Sequence, residues 1–514
     1  MASPNEKLAA SLEVLRTLQA DVGNVIKSSE LSRTHRERLQ RTGFLKDVMA
    51  GWLVATRPED RPGGTTYWYS SFWEFCIRYC TDRFGDEWCL SPEQSLLWHA
   101  ENPEIPRQVV IWSPGASGNN RPLPFQTSIY DLKKALPGKE DLVQKDGLRI
   151  LAVEAALIKV TENFFHNHPL EARIVLASLR SISGLLARLL DGGHVKAAGR
   201  VAGALRNMGR AEEADRILRR MRSADHDVRE RDPFSPDVSQ PHVQTGIPPL
   251  VGRIRNAWHG GREEVIDVLP EDLPLPRDAG AYLASIDEIY VSDAYNSLSI
   301  EGYRVTEKLI ERVRTGQFDP ERNPADRTDR DALAARGYWQ AFQAVRASIG
   351  RVLAGDPAGQ VAFEDHDGWY AQLFQPSVDA GILRAGVLAG FRNHPVCLRG
   401  SRHVPPRVEA IADGMEELFA HMKSEPSAAV RAVLGHWLMG YVHPYPDGNG
   451  RMARFLMNVM LASGGHPWTI IGLEDRACYM SALEAAGTAF DVRPFAELIA
   501  ERLDWSKQEL NELG

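Results

Sequence analysis

Between His443 and Arg454 the chain reads HPYPDGNGRMAR. A histidine, a carboxylate, two glycines around an asparagine and two arginines share this stretch. Packing does not ask for that set; phosphate chemistry does. Gly448 and Gly450 let successive backbone N–H groups turn inward to form an anion nest. A helix starting here adds its own unpaired N–H groups and the positive end of its dipole. Arg451, in the first turn, brings a forked donor suited to phosphate. Asp447 is the one acid in the set. It fits a hard cation such as Mg2+, which takes one or two carboxylates together with phosphate oxygens. His443, at the end of the preceding helix, can as a neutral imidazole take a proton from an incoming hydroxyl. Together these parts describe phosphoryl or nucleotidyl transfer from a nucleoside triphosphate to an alcohol. A Walker A loop is excluded because no G-x4-G-K-[ST] is present. An EF-hand is excluded because its alternating acids are missing.

The stretch resembles the signature of the Fic-domain family, HxFx(D/E)GNGRxxR, at every position but one. Tyr445 stands where the family usually has Phe, at an apolar anchor that tolerates a phenol if its oxygen finds a partner. The resemblance implies an all-α domain over residues 251–505 that transfers AMP from ATP to a Ser, Thr or Tyr hydroxyl of a target protein. Carried over by position, it implies His443 as general base and Asp447 as the Mg2+ ligand. It implies Gly448, Asn449, Gly450 and Arg451 as the phosphate cradle, and Arg454 as the γ-phosphate contact. A relative that phosphorylates its target has Lys where this chain has Gly450, so nucleotidyl transfer is favoured. The motif does not specify the base; Asn458 and Tyr479 are candidates without an assignment.

YNSLSIEGYRV, with Ser297, Glu301 and Gly302, resembles the family's inhibitory motif [S/T]xxxE[G/N], placed before the Fic core. The resemblance implies that Glu301 pairs with Arg454 and displaces the γ-phosphate, and that AMP removal is a second activity of the same glutamate. A carboxylate on that arginine would remove a charge-assisted contact and place negative charge where ATP must place its own. GFRNHPVCLRGSRHVPP reads as two short strands about Arg399–Gly400. It resembles the family's flap, whose strand edge would hold an extended target segment through main-chain hydrogen bonds. Arg392, Val396 and Leu398 are the target-binding candidates there.

Stepping outward, apolar stripes at Val430, Val433, Leu434, Trp437, Leu438, Tyr441 and at Met452, Phe455, Leu456, Val459, Met460 predict two buried helices joined by the loop. Gly464 and Gly465 close the second. The expected fold is multidomain, a mainly α Fic core in the C-terminal half preceded by a winged helix-turn-helix and an α+β, then helical, region. The expected divisions are 1–58, 59–225, a Pro-rich linker at 226–250, and 251–505. In the first, Ser32 caps a basic helix with Arg33, Arg36, Arg38 and Arg41, and Phe44–Arg57 reads as a hairpin. In the second, TTYWYSSFWEF, RQVVIW and LRILAV read as strands, and 152–222 as helices. Residues 1–230 loosely resemble the winged-helix and following region of AbiE-type antitoxins, by pattern alone.

The 514 residues are 43% hydrophobic and 25% charged with net charge −8, an ordinary globular composition with no global case for nucleic acid. The first residues do not read as a signal peptide, and no window is long and apolar enough for a membrane helix. Five cysteines suit reduced thiols in a cytoplasmic setting. Cys76, Cys80 and Cys89 read as buried thiols rather than a zinc site. The expected partners are ATP, Mg2+, a hydroxyl-bearing target protein, DNA through the winged helix, and a second copy in a homodimer. The competing reading is a nucleotide-sensing DNA-binding regulator with a dormant Fic core, for which an intact His443 is unnecessary.

Overall fold

A computed structural model describes residues 3–58, 65–234, 246–318 and 330–513. The chain forms two compact units, 1–249 with 396–404, and 250–395 with 405–514.

The first unit opens with α1 (Pro4–Val22), β1 (Val25–Lys27), α2 (Arg33–Arg41), β2 (Leu45–Met49) and β3 (Trp52–Ala55), the strands ordered β1-β3-β2. Ser32 accepts a hydrogen bond from the His35 amide and so caps α2. Gly51, at φ 86°, makes the turn of the hairpin. The strand β1 was not legible, being only three residues long. Three basic side chains of α2 have partners, while Arg41 is exposed. Arg36 donates to the Ser28 carbonyl, Arg38 to the Lys7 carbonyl and the Ser11 hydroxyl, and Arg33 to Glu37.

TTYWYSSFWEF is helix, not strand, forming α3 (Thr66–Tyr69) and the start of α4 (Phe72–Phe84). Aromatic content argued for a strand, but Trp68, Phe72, Phe75, Cys76, Tyr79 and Cys80 recur at helical spacing, and all are buried. Next come β4 (Cys89–Leu90), α5 (Pro92–His99), β5 (Gln108–Ser113), β6 (Asn120–Leu123) and β7 (Thr127–Lys133). They build a sheet ordered β4-β5-β7-β6 in which β5 and β7 run parallel. A separate hairpin joins β8 (Leu142–Lys145) to β9 (Leu148–Leu151). Cys76, Cys80 and Cys89 are buried, and burial pushes their thiols up, Cys89 to about 12.

Helices α6 (Val153–Lys159), α7 (Glu162–Asn167), α8 (Pro169–Ser178), α9 (Ser183–Asp191), α10 (Val195–Asn207) and α11 (Ala211–Ser223) follow. The linker expected at 226–250 is not free chain in its first part. Residues 226–234 run back over α10, where a Cβ on Gly199 or Gly203 would fall 2.0 and 2.1 Å from the Arg229 and Arg231 carbonyl oxygens. Phe234 is buried between Phe165 and the Arg173 guanidinium. Residues 235–245 lie outside the described residues.

The second unit is helical: α12 (Pro249–Val268), α13 (Ala279–Ile300), α14 (Glu307–Arg314), α15 (Arg330–Leu353), α16 (Ala358–Asp379), α17 (Ile411–Ser424), α18 (Ala428–Val442), α19 (Asn449–Ser463), α20 (Arg476–Ala489) and α21 (Arg493–Leu513). Both apolar stripes flanking the motif loop are buried, and Ser427 caps α18 by accepting from the Val430 amide. Among the described residues no helix is long and apolar enough to cross a membrane. Helix α15 runs tight against α16 at Gly337, where a Cβ would lie 2.0 Å from the Leu373 carbonyl oxygen. Gly337→Ala should therefore cost about 1–3 kcal/mol through overpacking. Gly350→Ala, on the same helix with only ordinary contact at 3.8 Å, should be neutral or stabilising. Denaturant unfolding of the two variants, read for opposite signs, checks this.

Candidate active site

The helix α18 ends at His443, whose φ 50° and ψ 58° are left-handed. Two residues on, Tyr445 plugs the loop into the core. It is fully buried, its ring stacks on Tyr370 with centroids 4.0 Å apart, and its hydroxyl donates to Asp367 at 3.3 Å. The phenol oxygen thus has the partner it needs. Asn449 closes the loop on itself: its amide nitrogen donates to the Tyr445 carbonyl (2.8 Å) and its amide oxygen accepts from the Tyr445 N–H (2.9 Å). Its side chain is a staple, leaving only its backbone for a ligand. Gly448 stands just before α19 at φ 80°, and a Cβ there would come within 2.9 Å of the Phe374 ring. Both conditions demand glycine.

Two arginines rise from the first turns of α19. Arg451 is 1% exposed and sits between the Tyr303 and Phe374 rings, 5.2 Å from each centroid. Arg454 is 5% exposed; its Nε donates to Ser297 Oγ (2.9 Å), and its Nη2 donates to the Ser297 carbonyl (3.1 Å) and to Glu301 Oε1 (2.7 Å). Burial works against the Arg454 charge, but Glu301 and the surrounding phenols outweigh it and hold the group above its ordinary value. Arg451 Nε and Nη2 and Arg454 Nη1 are buried without a hydrogen-bond partner among the described residues. Two of these nitrogens border the glycines. A Cβ on Gly448 would meet Arg451 Nη2 at 3.3 Å, and one on Gly450 would meet Arg454 Nη1 at 3.3 Å. Unpaired guanidinium donors in a buried site are costly, and here they converge with free N–H groups at a helix start. The site is built for an anion. Glu301 already reaches into it: a Cβ on Gly450 would lie 2.3 Å from Glu301 Oε1, so this carboxylate oxygen stands where an anionic ligand's oxygen would go.

Asp447 points outward, its side chain 61% exposed and 3.8 Å from Arg451 Nη2. Its Oδ1 accepts from the Gly448 amide, and its Oδ2 is the oxygen that faces Arg451 Nη2. That donor fits Mg2+ shared with phosphate oxygens. His443 is lowered to about 4, first by burial and then by the charge of Arg392; a hydrogen bond to the Gly440 backbone and the carboxylates of Glu301 and Asp447 pull the other way. The imidazole is therefore neutral near pH 7, with one nitrogen held by Gly440 and the other able to accept a proton.

The Fic/DOC family model matches residues 364–461 of this chain, a span that contains His443, Asp447, Arg451 and Arg454. The second unit carries a Fic domain. The chain is 36% identical over 115 residues to proteins named protein adenylyltransferase Fic from Drosophila virilis and Drosophila melanogaster. The match covers 22% of this chain and 23% of each fly protein, so the chain spans under a quarter of the length of these relatives. A solved structure of Fic-1 residues 134–508 from C. elegans is 18% identical, with a TM-score of 0.38 over 68% of this chain and 98% of that one.

Around the Fic motif, Ser297, Glu301, Arg451 and Arg454 converge with the loop as described. Gly302, at φ 92°, turns the chain after Glu301. The expected flap does not form a hairpin. Pro395, Pro405 and Pro406 remove donors, and the chain bridges to Glu104 instead of to itself. Val396 and Leu398 are partly buried in the segment 396–404, which belongs to the first unit. Arg392 is buried and bound to backbone carbonyls, so its side chain is not displayed to a target. Both nucleobase candidates already have partners. Asn458 spends its amide on the Arg454 and Thr469 backbones, and the Tyr479 hydroxyl is buried 2.8 Å from His436 Nε2.

One supporting group in the Fic domain escaped sequence reading. Asp293, on α13 one turn before Ser297, is buried and accepts from the Tyr338 hydroxyl (2.6 Å) and Trp468 Nε1 (3.0 Å). Burial raises it to about 6 against the pull of those bonds and of Arg454. An acid on an otherwise apolar helix face was the available signal.

Proposed function

We propose that the Fic domain transfers AMP from ATP to a hydroxyl of a target protein and that Glu301 holds it off. The observation that carries this reading is the convergence of unpaired Arg451 and Arg454 nitrogens on the start of α19. The β- and γ-phosphates would take those donors and the helix N–H groups. Arg454 would reach the γ-phosphate once Glu301 leaves. A Mg2+ ion on Asp447 would neutralise phosphate charge. His443 takes the proton of the target hydroxyl as its oxygen bonds to the α-phosphorus. The bond from that phosphorus to the bridging oxygen breaks, and pyrophosphate leaves with the electron pair. The product is a protein–AMP phosphodiester. Gly450, in place of the lysine of a phosphorylating relative, supports transfer at the α- rather than the γ-phosphorus.

The test is transfer of label to protein in a cell lysate with Mg2+ and the Glu301→Gly variant, comparing ATP labelled at the α- or the γ-phosphate. Label from the α-position alone is expected. Label from the γ-position alone would replace this reading with a kinase.

A further inference from the structure

Arg392 lies 51 residues before the loop histidine and is 2% exposed. Its Nε donates to the His443 carbonyl (2.9 Å), its Nη1 to the His394 carbonyl (3.0 Å) and its Nη2 to the Pro406 carbonyl (2.6 Å). Its backbone N–H donates to the Pro444 carbonyl (2.8 Å). One residue therefore ties together the turn that carries His443 and the two pieces of chain that flank segment 396–404. The turn needs tying. His443 has a Cβ yet sits at φ 50°, a strained conformation that persists only where the surroundings impose it. The His443 amide is already spent on the Met439 carbonyl as the cap of α18. The contacts from Arg392 hold the other side of the turn.

We propose that Arg392 is a positioning residue for the transfer, fixing the His443 turn so that the imidazole stays aimed at the α-phosphate. This rests on the reading of His443 as the general base. Arg392 acts in two separable ways. Its fork holds carbonyls in three places, a geometry that a lysine cannot reproduce. Its charge opposes protonation of the imidazole, which Glu301 from the end of α13 and Asp447 from the loop both favour.

The experiment uses the full chain in the Glu301→Gly background with Arg392→Gln and Arg392→Lys. The His443 imidazole is titrated by 13C–1H NMR, its signal identified by loss in His443→Ala. Label transfer from α-labelled ATP is measured over a range of nucleotide concentrations that reaches saturation. With Arg392→Gln the His443 midpoint should rise above that of the Glu301→Gly parent, because the charge that opposes protonation is gone. Transfer should fall about ten- to a hundredfold with the KM for ATP little changed, as expected for a misplaced base. With Arg392→Lys the midpoint should stay near its parent value while transfer still falls. If Arg392→Gln leaves both midpoint and transfer at parent values, the proposal is overturned. If Arg392→Gln does not fold, Arg392→Lys decides: reduced transfer at an unchanged midpoint supports the strut, and parent-level transfer overturns it. If no protein transfers label, the parent included, the adenylyltransferase reading fails by itself. The titration then still decides whether Arg392 controls the imidazole.

Discussion

Glu301→Gly should raise label transfer by roughly ten- to a hundredfold. The estimate follows from what the substitution removes. Glu301 Oε1 lies 2.7 Å from Arg454 Nη2, a charge-assisted hydrogen bond to a buried guanidinium. Such bonds contribute about 1.5–3 kcal/mol, which is roughly ten- to a hundredfold in an equilibrium. The same oxygen covers the helix start at Gly450, so one substitution frees both the arginine and the nest. Glu301→Gln separates the two effects. It keeps the bulk over Gly450 and loses the charge, so its gain should fall between those of the parent and the glycine variant. Rates of α-label incorporation for the three proteins at one ATP concentration check this. Equal rates in all three would mean that Glu301 does not restrain the site.

His443→Ala in the Glu301→Gly protein should remove about two to four orders of magnitude of that transfer, the usual contribution of a positioned general base. ATP affinity, measured by equilibrium binding, should hardly change, because the donors proposed for the phosphates are on α19 and not on His443. The pH profile carries a second signature. An ordinary histidine stops serving as a base as pH falls through about 6.5. Here the folded value is lowered to about 4, so the base form survives to that pH and transfer should stay flat between neutrality and about pH 5. The unfolded chain binds a proton at His443 near pH 6.5, the folded one only near 4. Stability is therefore intact above the first value and declines as pH falls towards the second. An acid limb centred near 6.5 would show that His443 is solvated in the working state.

The loop that carries the candidate site was readable because it is local. The residue types, the glycines and the two flanking stripes all sit within a short run, and helix periodicity places them without any long-range information. Glu301 is 153 residues from Arg454, and only a second motif made that pair visible. What stayed hidden was held by side chains with no local pattern. Asp367 meets Tyr445 across 78 residues, and Asp293 meets Trp468 across 175. Position alone points Asn449 and Arg392 at ligands, yet their side-chain donors turn onto backbone carbonyls. Residue type names the chemistry available to a group and leaves open whether the fold spends it internally. The aromatic stretch after Thr65 failed for another reason: strand preference reflects packing on a pleated surface, and the spacing of buried rings outweighed it.

Residues 396–404 leave the helical unit and return to it, packing within the first unit in between. The Ile105 amide donates to the Arg402 carbonyl, Arg402 Nη2 donates to the Ile105 carbonyl, and the Val404 amide donates to the Pro103 carbonyl. No single cut in the sequence separates the two units. A fragment beginning at Leu250 keeps the whole motif but loses residues 103–105, and with them the partners of Arg402 and Val404. Truncation is thus not a neutral dissection of this protein: a change in the behaviour of such a fragment reports the orphaned segment as well as the missing half.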